Sequence, residues 1–290
     1  MDGFFFINKP PGPSSFAINN RLKPFAGGRR IGHAGTLDPA ASGLLIVAAG
    51  KATRLLEYIP AHPKAYTFTV RFGSETDTLD EEGKVIANGG RIPGFEELQA
   101  ILPQFTGTIN QVPPRFSAVK INGQRAYARA RRSEDFTIAP REVTIDSIII
   151  ENFDAANASA VISTHCSSGT YIRSLARDIA RALGTFGFAS NIRRTAIGPF
   201  SLDIAGEIDA VIAAADSWLV SIREVLRSCA CVNVTEDHKK KLSFGLDIPL
   251  ENVPQSGKGS LFFAFDDRDE IAAVLCSAEN GLFHPVKVFL

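Results

Sequence analysis

The chain contains the stretch Gly32-His33-Ala34-Gly35-Thr36-Leu37-Asp38-Pro39-Ala40-Ala41-Ser42-Gly43, and an apolar run at residues 44–49 follows it directly. Three glycines within these twelve residues allow the backbone to turn sharply or to approach a ligand closely. Asp38 precedes Pro39, which pushes the aspartate toward an extended conformation. The pattern predicts a loop that presents Asp38 at the mouth of a buried strand, where catalytic residues are common. Spacing alone also fits a plain turn-forming aspartate before proline.

The same stretch resembles a catalytic motif. Its pattern, G-H-x-G-x-L-D-P-x-A-x-G, is similar to that of the bacterial tRNA pseudouridine-55 synthases, the TruB family, and the match is unbroken. Further matches extend over nearly the whole chain. The resemblance implies an α+β protein with the pseudouridine-synthase fold, a mixed and mostly antiparallel sheet. It also implies the reaction, in which an aspartate and base flipping convert a uridine in the T-loop of tRNA (position 55) to pseudouridine, with Asp38 as the catalytic residue.

Residues 64–72 alternate apolar and polar side chains, which predicts a half-buried strand. Tyr66 lies on the apolar face of that strand, so packing is its default interpretation. The pair Lys64 and Tyr66, however, resembles the K-x-Y motif of the family, whose tyrosine stacks on the target base. A flipped base needs an aromatic face to replace its lost stacking. We therefore assign Tyr66 and Lys64 to the site.

Apolar residues recur at helical spacing over residues 172–183 and predict a helix that ends at Gly184. Arg173 falls in the first turn, where its charge opposes the helix dipole, so it needs another partner. A carboxylate would be a suitable one. Residues 169–173, G-T-Y-I-R, resemble a third family motif in which the arginine pairs with the catalytic aspartate and the tyrosine lines the pocket.

Three further residues belong to the site that the resemblance implies. Lys9, in N-K-P-x-G-x-S-S at residues 8–15, is expected near the active loop, although this motif also fits a strand-to-helix turn. His33 is expected to contact the flipped RNA, and a structural histidine fits the sequence equally well. Ile192 replaces the usual leucine of the family and keeps an apolar floor for the base; simple core packing is the alternative. The whole expected set is catalytic Asp38, Tyr66 and Arg173, with substrate-binding Lys9, His33, Lys64, Tyr66, Tyr171 and Ile192.

This chemistry requires few participants. Nothing is oxidised or hydrolysed, so we expect neither cofactor nor metal. One ionised carboxylate can act as a nucleophile at C1′ or C6, or as a base at C2′, and the sequence leaves these alternatives open. An opposing charge from Arg173 would keep Asp38 ionised. A non-catalytic RNA-binding protein would not need Asp38, Tyr66 and Arg173 together. A hydrolase around Asp38 would need a second carboxylate, a nucleophile elbow or a metal cluster.

The charges balance, with Lys+Arg 31 against Asp+Glu 31, which argues mildly against a nucleic-acid partner. Residues 115–132, however, contain six basic side chains and no acidic one. They lie in a segment that resembles the RNA-clasping thumb of the family, a basic loop at about residues 112–135. Asn122-Gly123 predicts a hairpin within it. A solvated charged face is the alternative; the resemblance favours binding of the T-arm of tRNA.

The four cysteines form no C-x-x-C pair, so they do not suggest a zinc site, and their small number suits a reducing compartment. The first residues lack the basic region of a signal peptide, and no apolar run is long enough to span a membrane. These features predict a cytoplasmic protein without membrane contact, and we expect a monomer.

The sequence pattern changes after residue 226, where short apolar segments predominate. Short apolar segments at residues 231–234, 261–266, 271–277 and 283–289 predict a small β-rich module. The pattern resembles a PUA-type RNA-binding domain, although the module is fairly acidic beyond Glu251. We therefore expect a catalytic domain at residues 1–228 and a PUA-like domain at residues 229–290.

Overall fold

The computed structural model describes residues 2–251, 253, 257–278 and 281–290. The strands are β1 (Gly3–Lys9), β2 (Ile31–Ala34), β3 (Ser42–Ala49), β4 (Lys64–Phe72), β5 (Ser74–Thr76), β6 (Val85–Asn88), β7 (Gly107–Gln111), β8 (Lys120–Ile121), β9 (Gln124–Arg125), β10 (Arg141–Asp154), β11 (Ser159–Cys166), β12 (Gly187–Ile197), β13 (Phe200–Ser201), β14 (Gly206–Glu207), β15 (Cys231–Asn233), β16 (Ile248–Pro249), β17 (Leu261–Phe265), β18 (Ile271–Ser277) and β19 (Leu282–Val288).

The α-helices are α1 (Ser15–Leu22), α2 (Phe95–Ile101), α3 (Ala126–Arg131), α4 (Ile172–Ala182), α5 (Ile208–Ala213), α6 (Ala215–Trp218), α7 (Ile222–Val225) and α8 (Glu236–Ser243). Short 3₁₀ helices are at Lys23–Ala26, Gly50–Leu55, Leu102–Phe105 and Leu202–Ile204. No helix in the described part of the chain is long and apolar enough to cross a membrane.

The main sheet has the strand order β14-β1-β3-β12-β4-β11-β10-β7, with β2 paired to β3 and β13 paired to β12. The pairs β1–β14 and β3–β12 are parallel. The other pairs of this sheet are antiparallel. The expected mixed, mostly antiparallel sheet of an α+β protein is therefore confirmed.

The apolar runs in β1 and β3 reflect a sheet that is covered on both faces. Leu45 and Val47 belong to one hydrophobic cluster, which also contains apolar residues of α1, α4 and α5. Their neighbours Leu44 and Ile46 belong to a second cluster on the opposite face. Because successive side chains of a strand point to opposite faces, a strand buried on both faces reads as a continuous apolar run. These strands give the loop that follows β2 a rigid base.

The C-terminal residues form a second sheet with the order β15-β17-β18-β19-β16, which confirms the β-rich module. This sheet packs on the main sheet, because Phe263 and Phe265 belong to the same hydrophobic cluster as Phe4 and Phe6. Residues 238–241, His-Lys-Lys-Lys, lie in α8. Thr235 caps this helix by accepting a hydrogen bond from the backbone of His238 at 3.3 Å.

Several predicted elements have different limits in the structure. The sequence predicts a short helix at residues 52–59, whereas the structure has a 3₁₀ helix at Gly50–Leu55. It predicts a helix at about residues 16–24, which in the structure ends at Leu22 and continues as a 3₁₀ turn, because Pro24 cannot donate a backbone hydrogen bond. It predicts a polar loop between strands at residues 73–83, and this segment contains β5, which pairs with β6.

Candidate active site

Asp38 lies in the loop between β2 and β3, as the sequence predicted. The two strands pair antiparallel, with Ala34 opposite Ile46, so residues 35–41 form the connection at one end of this pair. The side chain of Asp38 is 46% exposed. The loop thus holds the carboxylate partly open to solvent on a base of buried strands.

Two buried side chains hold the backbone of this loop. Lys9 donates from Nζ to the carbonyl oxygens of Pro10 at 2.8 Å, Pro13 at 2.8 Å and Pro39 at 3.1 Å. Ser15 Oγ accepts a hydrogen bond from the backbone N–H of Leu37 at 2.8 Å and lies 3.0 Å from its carbonyl oxygen. Burial lowers the pKa of Lys9 to about 8, and the charge of Asp38 partly opposes this shift.

This arrangement bears on the expected substrate contact of Lys9. The side chain is fully buried, and its three hydrogen bonds use the donors of its ammonium group. We therefore interpret Lys9 as a positioning residue that holds the residue after Asp38, rather than as one that touches RNA.

Arg173 joins three segments of the site. Its Nη2 lies 2.7 Å from Oδ2 of Asp38 and 3.0 Å from the carbonyl oxygen of Phe116. Its Nη1 donates to the carbonyl oxygen of Thr78 at 2.8 Å and to Oδ2 of Asp80 at 3.2 Å. The expected ion pair between Arg173 and Asp38 is confirmed. An arginine in the first turn of α4 is accommodated because two carboxylates offset its charge.

Asp80 is a residue of the site that the sequence motifs did not indicate. Its side chain is 10% exposed, and Oδ1 accepts hydrogen bonds from Thr78 Oγ1 and from the backbone of Glu82. The residue lies in the connection between β5 and β6, which the sequence suggested was only a polar loop. A carboxylate that is this deeply buried needs a cation, and here the cation is Arg173. The acidic run at residues 75–82 was the available signal.

A cavity of about 240 Å³ opens beside this ion pair. Its walls include six of the expected residues: Asp38, Lys64, Tyr66, Tyr171, Arg173 and Ile192. They also include residues that the sequence did not single out, among them Gly35, Ser117, Thr170 and Arg194. Lys9 and His33 do not line it. The cavity therefore brings together a carboxylate, three cations and two tyrosines from widely separated parts of the chain.

Tyr66 and Lys64 lie two residues apart on β4, so both side chains project from the same face. Tyr66 is 9% exposed, and burial raises the pKa of its hydroxyl. Burial, and next the charge of Arg194, lower the pKa of Lys64 to about 8. Among the described residues, no carboxylate forms an ion pair with Lys64. The cavity wall thus carries an ammonium group that is available to a ligand.

Tyr171 immediately precedes α4 and is fixed by Gln111 at the end of β7. Gln111 Oε1 accepts from the backbone N–H of Tyr171 at 2.7 Å, and Gln111 Nε2 donates to its carbonyl oxygen at 3.1 Å. This double contact sets the start of the helix and, with it, the position of Arg173 two residues later.

Arg194 is the largest fully buried side chain of the site, with 1% exposure. It donates from Nε to the carbonyl oxygen of Leu44 at 2.8 Å and from Nη2 to that of Gly35 at 2.8 Å. Gly35 has φ +71°, and a Cβ there would lie 3.2 Å from Lys64 Nζ. Arg194 thus ties β12 to the Asp38 loop and adds positive charge beneath it.

His33 contacts the loop from outside the cavity. Its Nδ1 lies 2.9 Å from Asn19 Nδ2, and its Nε2 lies 3.1 Å from Thr36 Oγ1. Burial, followed by the charge of Arg194, lowers the pKa of His33. The residue therefore favours its neutral form and contacts Thr36, which does line the cavity.

The thumb segment, residues 112–135, lies beside the cavity. Strands β8 and β9 form the expected hairpin, with positive φ at Asn122 and Gly123. Arg129 and Arg132 both contact the carboxylate of Glu134, at 2.7 and 2.6 Å. The positive charge of the segment is therefore smaller than its six basic residues suggest.

Comparison with known proteins gives consistent matches. A family model described as TruB family pseudouridylate synthase (N terminal domain) matches residues 23–172, a range that contains Asp38 and Tyr66 and ends one residue before Arg173. The tRNA pseudouridine synthase B of Arthrobacter sp. (strain FB24) is 38% identical over 299 residues, which cover 100% of this chain and 97% of that protein. The protein of the same name from Rickettsia akari (strain Hartford) is 38% identical over 244 residues, covering 82% and 83%.

The fold is also found in solved structures. A Cbf5-Nop10-Gar1 complex contains a chain that superposes with a TM-score of 0.73 at 23% identity, covering 99% of this chain and 84% of that one. An H/ACA ribonucleoprotein bound to a substrate RNA that contains 2′-deoxyuridine gives a TM-score of 0.72 at 20% identity, covering 99% and 85%. At these identities the likeness concerns the fold alone.

Proposed function

This chain belongs to the TruB family of pseudouridylate synthases, and from that premise we propose that it acts on the uridine at position 55, in the T-loop of tRNA, with Asp38 as its catalytic residue. It is an isomerase that converts uridine to pseudouridine in tRNA. The observation that carries the proposed role of Asp38 is its 2.7 Å contact with Arg173 at the wall of the cavity.

The reaction exchanges one bond for another. The bond between N1 and C1′ breaks, the base turns, and C5 bonds to C1′; C5 loses a proton and N1 gains one. An ionised Asp38 can attack C1′ or C6, or remove a proton from C2′. Oδ2 of Asp38 forms the ion pair with Arg173, whereas Oδ1 of Asp38 accepts no hydrogen bond from the described residues. The guanidinium thus orients the carboxylate while one oxygen stays available for the substrate.

The cavity walls suggest how the flipped uridine is held. Tyr66 supplies the aromatic face on which the base stacks, and Tyr171 and Ile192 line the pocket around it. Lys64 contacts the nucleotide with its ammonium group, whose positive charge suits a carbonyl oxygen or a phosphate. His33 supports the Asp38 loop through its contact with Thr36. It also contacts the RNA next to the cavity.

The remaining surfaces would bind the rest of the T-arm. The thumb segment contacts phosphates, and residues 229–290 form a PUA-like domain that adds affinity, separate from the catalytic domain at residues 1–228. We further propose that the enzyme works as a monomer. We place it in the cytoplasm because its four cysteines are all free and suit a reducing compartment.

The test is incubation with an unmodified tRNA transcript, followed by chemical mapping of pseudouridine. With wild-type enzyme we expect pseudouridine at one position of the tRNA, nucleotide 55. With Asp38→Asn we expect none. Asp216→Asn, an exposed aspartate on α6 that does not line the cavity, is the matched control and should retain activity. A transcript with cytidine at position 55 should stay unmodified. Modification at another position would overturn the assigned target, and activity in Asp38→Asn would overturn the role of Asp38.

A further inference from the structure

Ser117 is the feature of the cavity that the mechanism above leaves unexplained. It lines the cavity and is 5% exposed. Its Oγ has no hydrogen-bond partner among the residues that the structure describes. Buried hydroxyl groups in folded proteins nearly always have a partner, because an unsatisfied one is destabilising. An unpartnered hydroxyl on a residue that lines a substrate cavity therefore points to a contact with the ligand.

The backbone on both sides of this hydroxyl is held in place. The carbonyl oxygen of Phe116 accepts from Nη2 of Arg173 at 3.0 Å, and that of Ser117 accepts from the backbone N–H of Tyr127 at 3.0 Å. The same Nη2 atom contacts Asp38. Ser117 is therefore adjacent to a residue that the arginine of the catalytic pair fixes, and its position is defined relative to Asp38. Such fixed placement is what a specific hydrogen bond to a substrate requires.

We propose that Ser117 is a specificity-determining residue whose Oγ donates a hydrogen bond to a carbonyl oxygen of the target uracil. The proposal rests on the proposed function, since its ligand is the flipped base in this cavity. Uracil carries two carbonyl oxygens, O2 and O4, on either side of its N3–H group. A hydroxyl can rotate to donate to either oxygen.

The isomerisation itself explains why a donor suits this position. Replacing N1 by C5 at C1′ corresponds to half a turn of the ring about the axis through N3 and C6, and this turn exchanges O2 with O4. A fixed donor therefore meets a carbonyl oxygen before and after the turn. Cytosine carries an amino group at C4, so it offers such a donor an acceptor on one side only. The contact thus holds uracil in both orientations and discriminates against cytosine.

The test measures single-turnover rates of wild type and Ser117→Ala at saturating T-arm stem-loop RNA. Three RNAs carry uridine, 2-thiouridine or 4-thiouridine at the target position, because sulfur is a weak hydrogen-bond acceptor. On uridine, Ser117→Ala should be slower by about tenfold. On at least one thio-substituted RNA, the two enzymes should differ by less than about twofold. An equal loss on all three RNAs, or no loss on uridine, would overturn the proposal.

Two further variants separate recognition from structure. Ser159 on β11 is buried to a similar degree, at 7% exposure, and lines neither of the two cavities that Asp38 lines. Ser159→Ala should match wild type on all three RNAs. Ser117→Thr keeps the hydroxyl and should keep the dependence on the thio-substitution; a folded Ser117→Thr without that dependence would count against the contact. Wild-type enzyme that is inactive on the uridine RNA would instead refute the proposed function.

Discussion

Nη2 of Arg173 lies 2.7 Å from Oδ2 of Asp38, and this contact joins the first turn of α4 to the loop between β2 and β3. The same guanidinium lies 3.2 Å from Oδ2 of Asp80. The side chains of Arg173 and Asp80 are 6% and 10% exposed, whereas that of Asp38 is 46% exposed. One buried cation therefore serves two carboxylates in different ways: it offsets the charge of Asp80 in the interior and orients Asp38 at the cavity.

We predict that Arg173→Ala reduces both stability and rate. Removing one partner of a buried ion pair costs about 3–5 kcal/mol, because the remaining charge is left uncompensated. The loss of an oriented charge next to the reacting groups should slow single-turnover chemistry by about 10²–10³-fold. Urea unfolding and single-turnover assays at saturating tRNA measure the two effects. Arg173→Lys should be poor or intermediate, because an ammonium group cannot reproduce the guanidinium fork.

The double variant Arg173→Ala/Asp80→Asn separates the two effects. Neutralising Asp80 removes the uncompensated buried charge, so the free energy of unfolding should recover in part while the rate stays low. A rate near that of wild type in Arg173→Ala would show that the arginine serves the structure alone.

We predict that Asp38→Asn abolishes pseudouridine formation and leaves the affinity for tRNA nearly unchanged. Asparagine has nearly the same shape, and affinity for RNA comes mostly from phosphates and shape. Filter binding and chemical mapping on the same preparation measure both quantities. A large loss of affinity would mean that the carboxylate, or its pairing with Arg173, organises the RNA-binding surface as well as the chemistry.

We predict that Gly43→Ala is much more damaging than Gly12→Ala. Both glycines have a strongly positive φ, +99° and +105°, so both alanines are strained, by about 1–3 kcal/mol. A Cβ at Gly43 would also lie 2.2 Å from the carbonyl oxygen of Arg194, whereas one at Gly12 would meet nothing within 4 Å. The clash would force β3 away from β12 beneath the cavity. Equal unfolding free energies for the two variants would contradict this reading of the parallel pair.

The residues recognised from the sequence are those whose role is written in a short motif. The Asp38 loop, the strand that carries Tyr66 and the helix that begins beside Arg173 all follow from local spacing, and the structure places them at one cavity. The position of Arg173 in the first turn of its helix is unfavourable, because its charge opposes the helix dipole. This argument needs only the sequence of one turn, so a carboxylate partner could be predicted from the sequence.

The residues that were missed depend on partners distant in the chain. Asp80 is 93 residues from Arg173, and Arg194 is 159 residues from Gly35. Patterns within a short stretch of sequence therefore cannot reveal these contacts. Lys9 was among the expected substrate-binding residues, but its motif also fits a strand-to-helix turn, and its buried Nζ donates to three carbonyl oxygens. Whether a charged side chain faces the ligand or the interior depends on how the strands assemble.

We predict that Arg131 contributes more to the salt dependence of tRNA binding than its neighbours Arg129 and Arg132. Glu134 neutralises part of the charge of both neighbours, whereas Arg131 stacks on Tyr127, 5.6 Å from its ring centre, and forms no ion pair within the described residues. Each phosphate contact adds about 0.7–0.9 to the slope of log K against log salt. Arg131→Ala should reduce the slope by that amount.

The matched variant for this surface is Glu134→Gln, which releases both neighbouring arginines and should strengthen binding at low salt. An unchanged slope in Arg131→Ala, together with an unchanged affinity in Glu134→Gln, would mean that the thumb segment is a solvated charged face and not part of the RNA-binding surface.

We predict that the affinity for T-arm RNA falls as the pH rises through about 8, because Lys64 loses its proton there. Burial and the charge of Arg194 lower the pKa of Lys64, so the free enzyme carries this charge below about pH 8 and loses it above. RNA binds the charged form better, so log Kd should rise with pH by up to about one unit per pH unit. Lys64→Met should bind more weakly and without this dependence.

Lys9 has a pKa that is also lowered to about 8, so the source of the pH effect must be established. The pH dependence of the free energy of unfolding helps to distinguish Lys64 from Lys9. The lowered pKa of Lys64 means that the unfolded chain binds more protons between about pH 8 and 10.5, so the free energy of unfolding should rise with pH in this window. Lys64→Met should remove part of that rise together with the pH dependence of binding. If Lys64→Met keeps the pH dependence of Kd, the titrating group is not Lys64, and its proposed contact with the nucleotide is wrong.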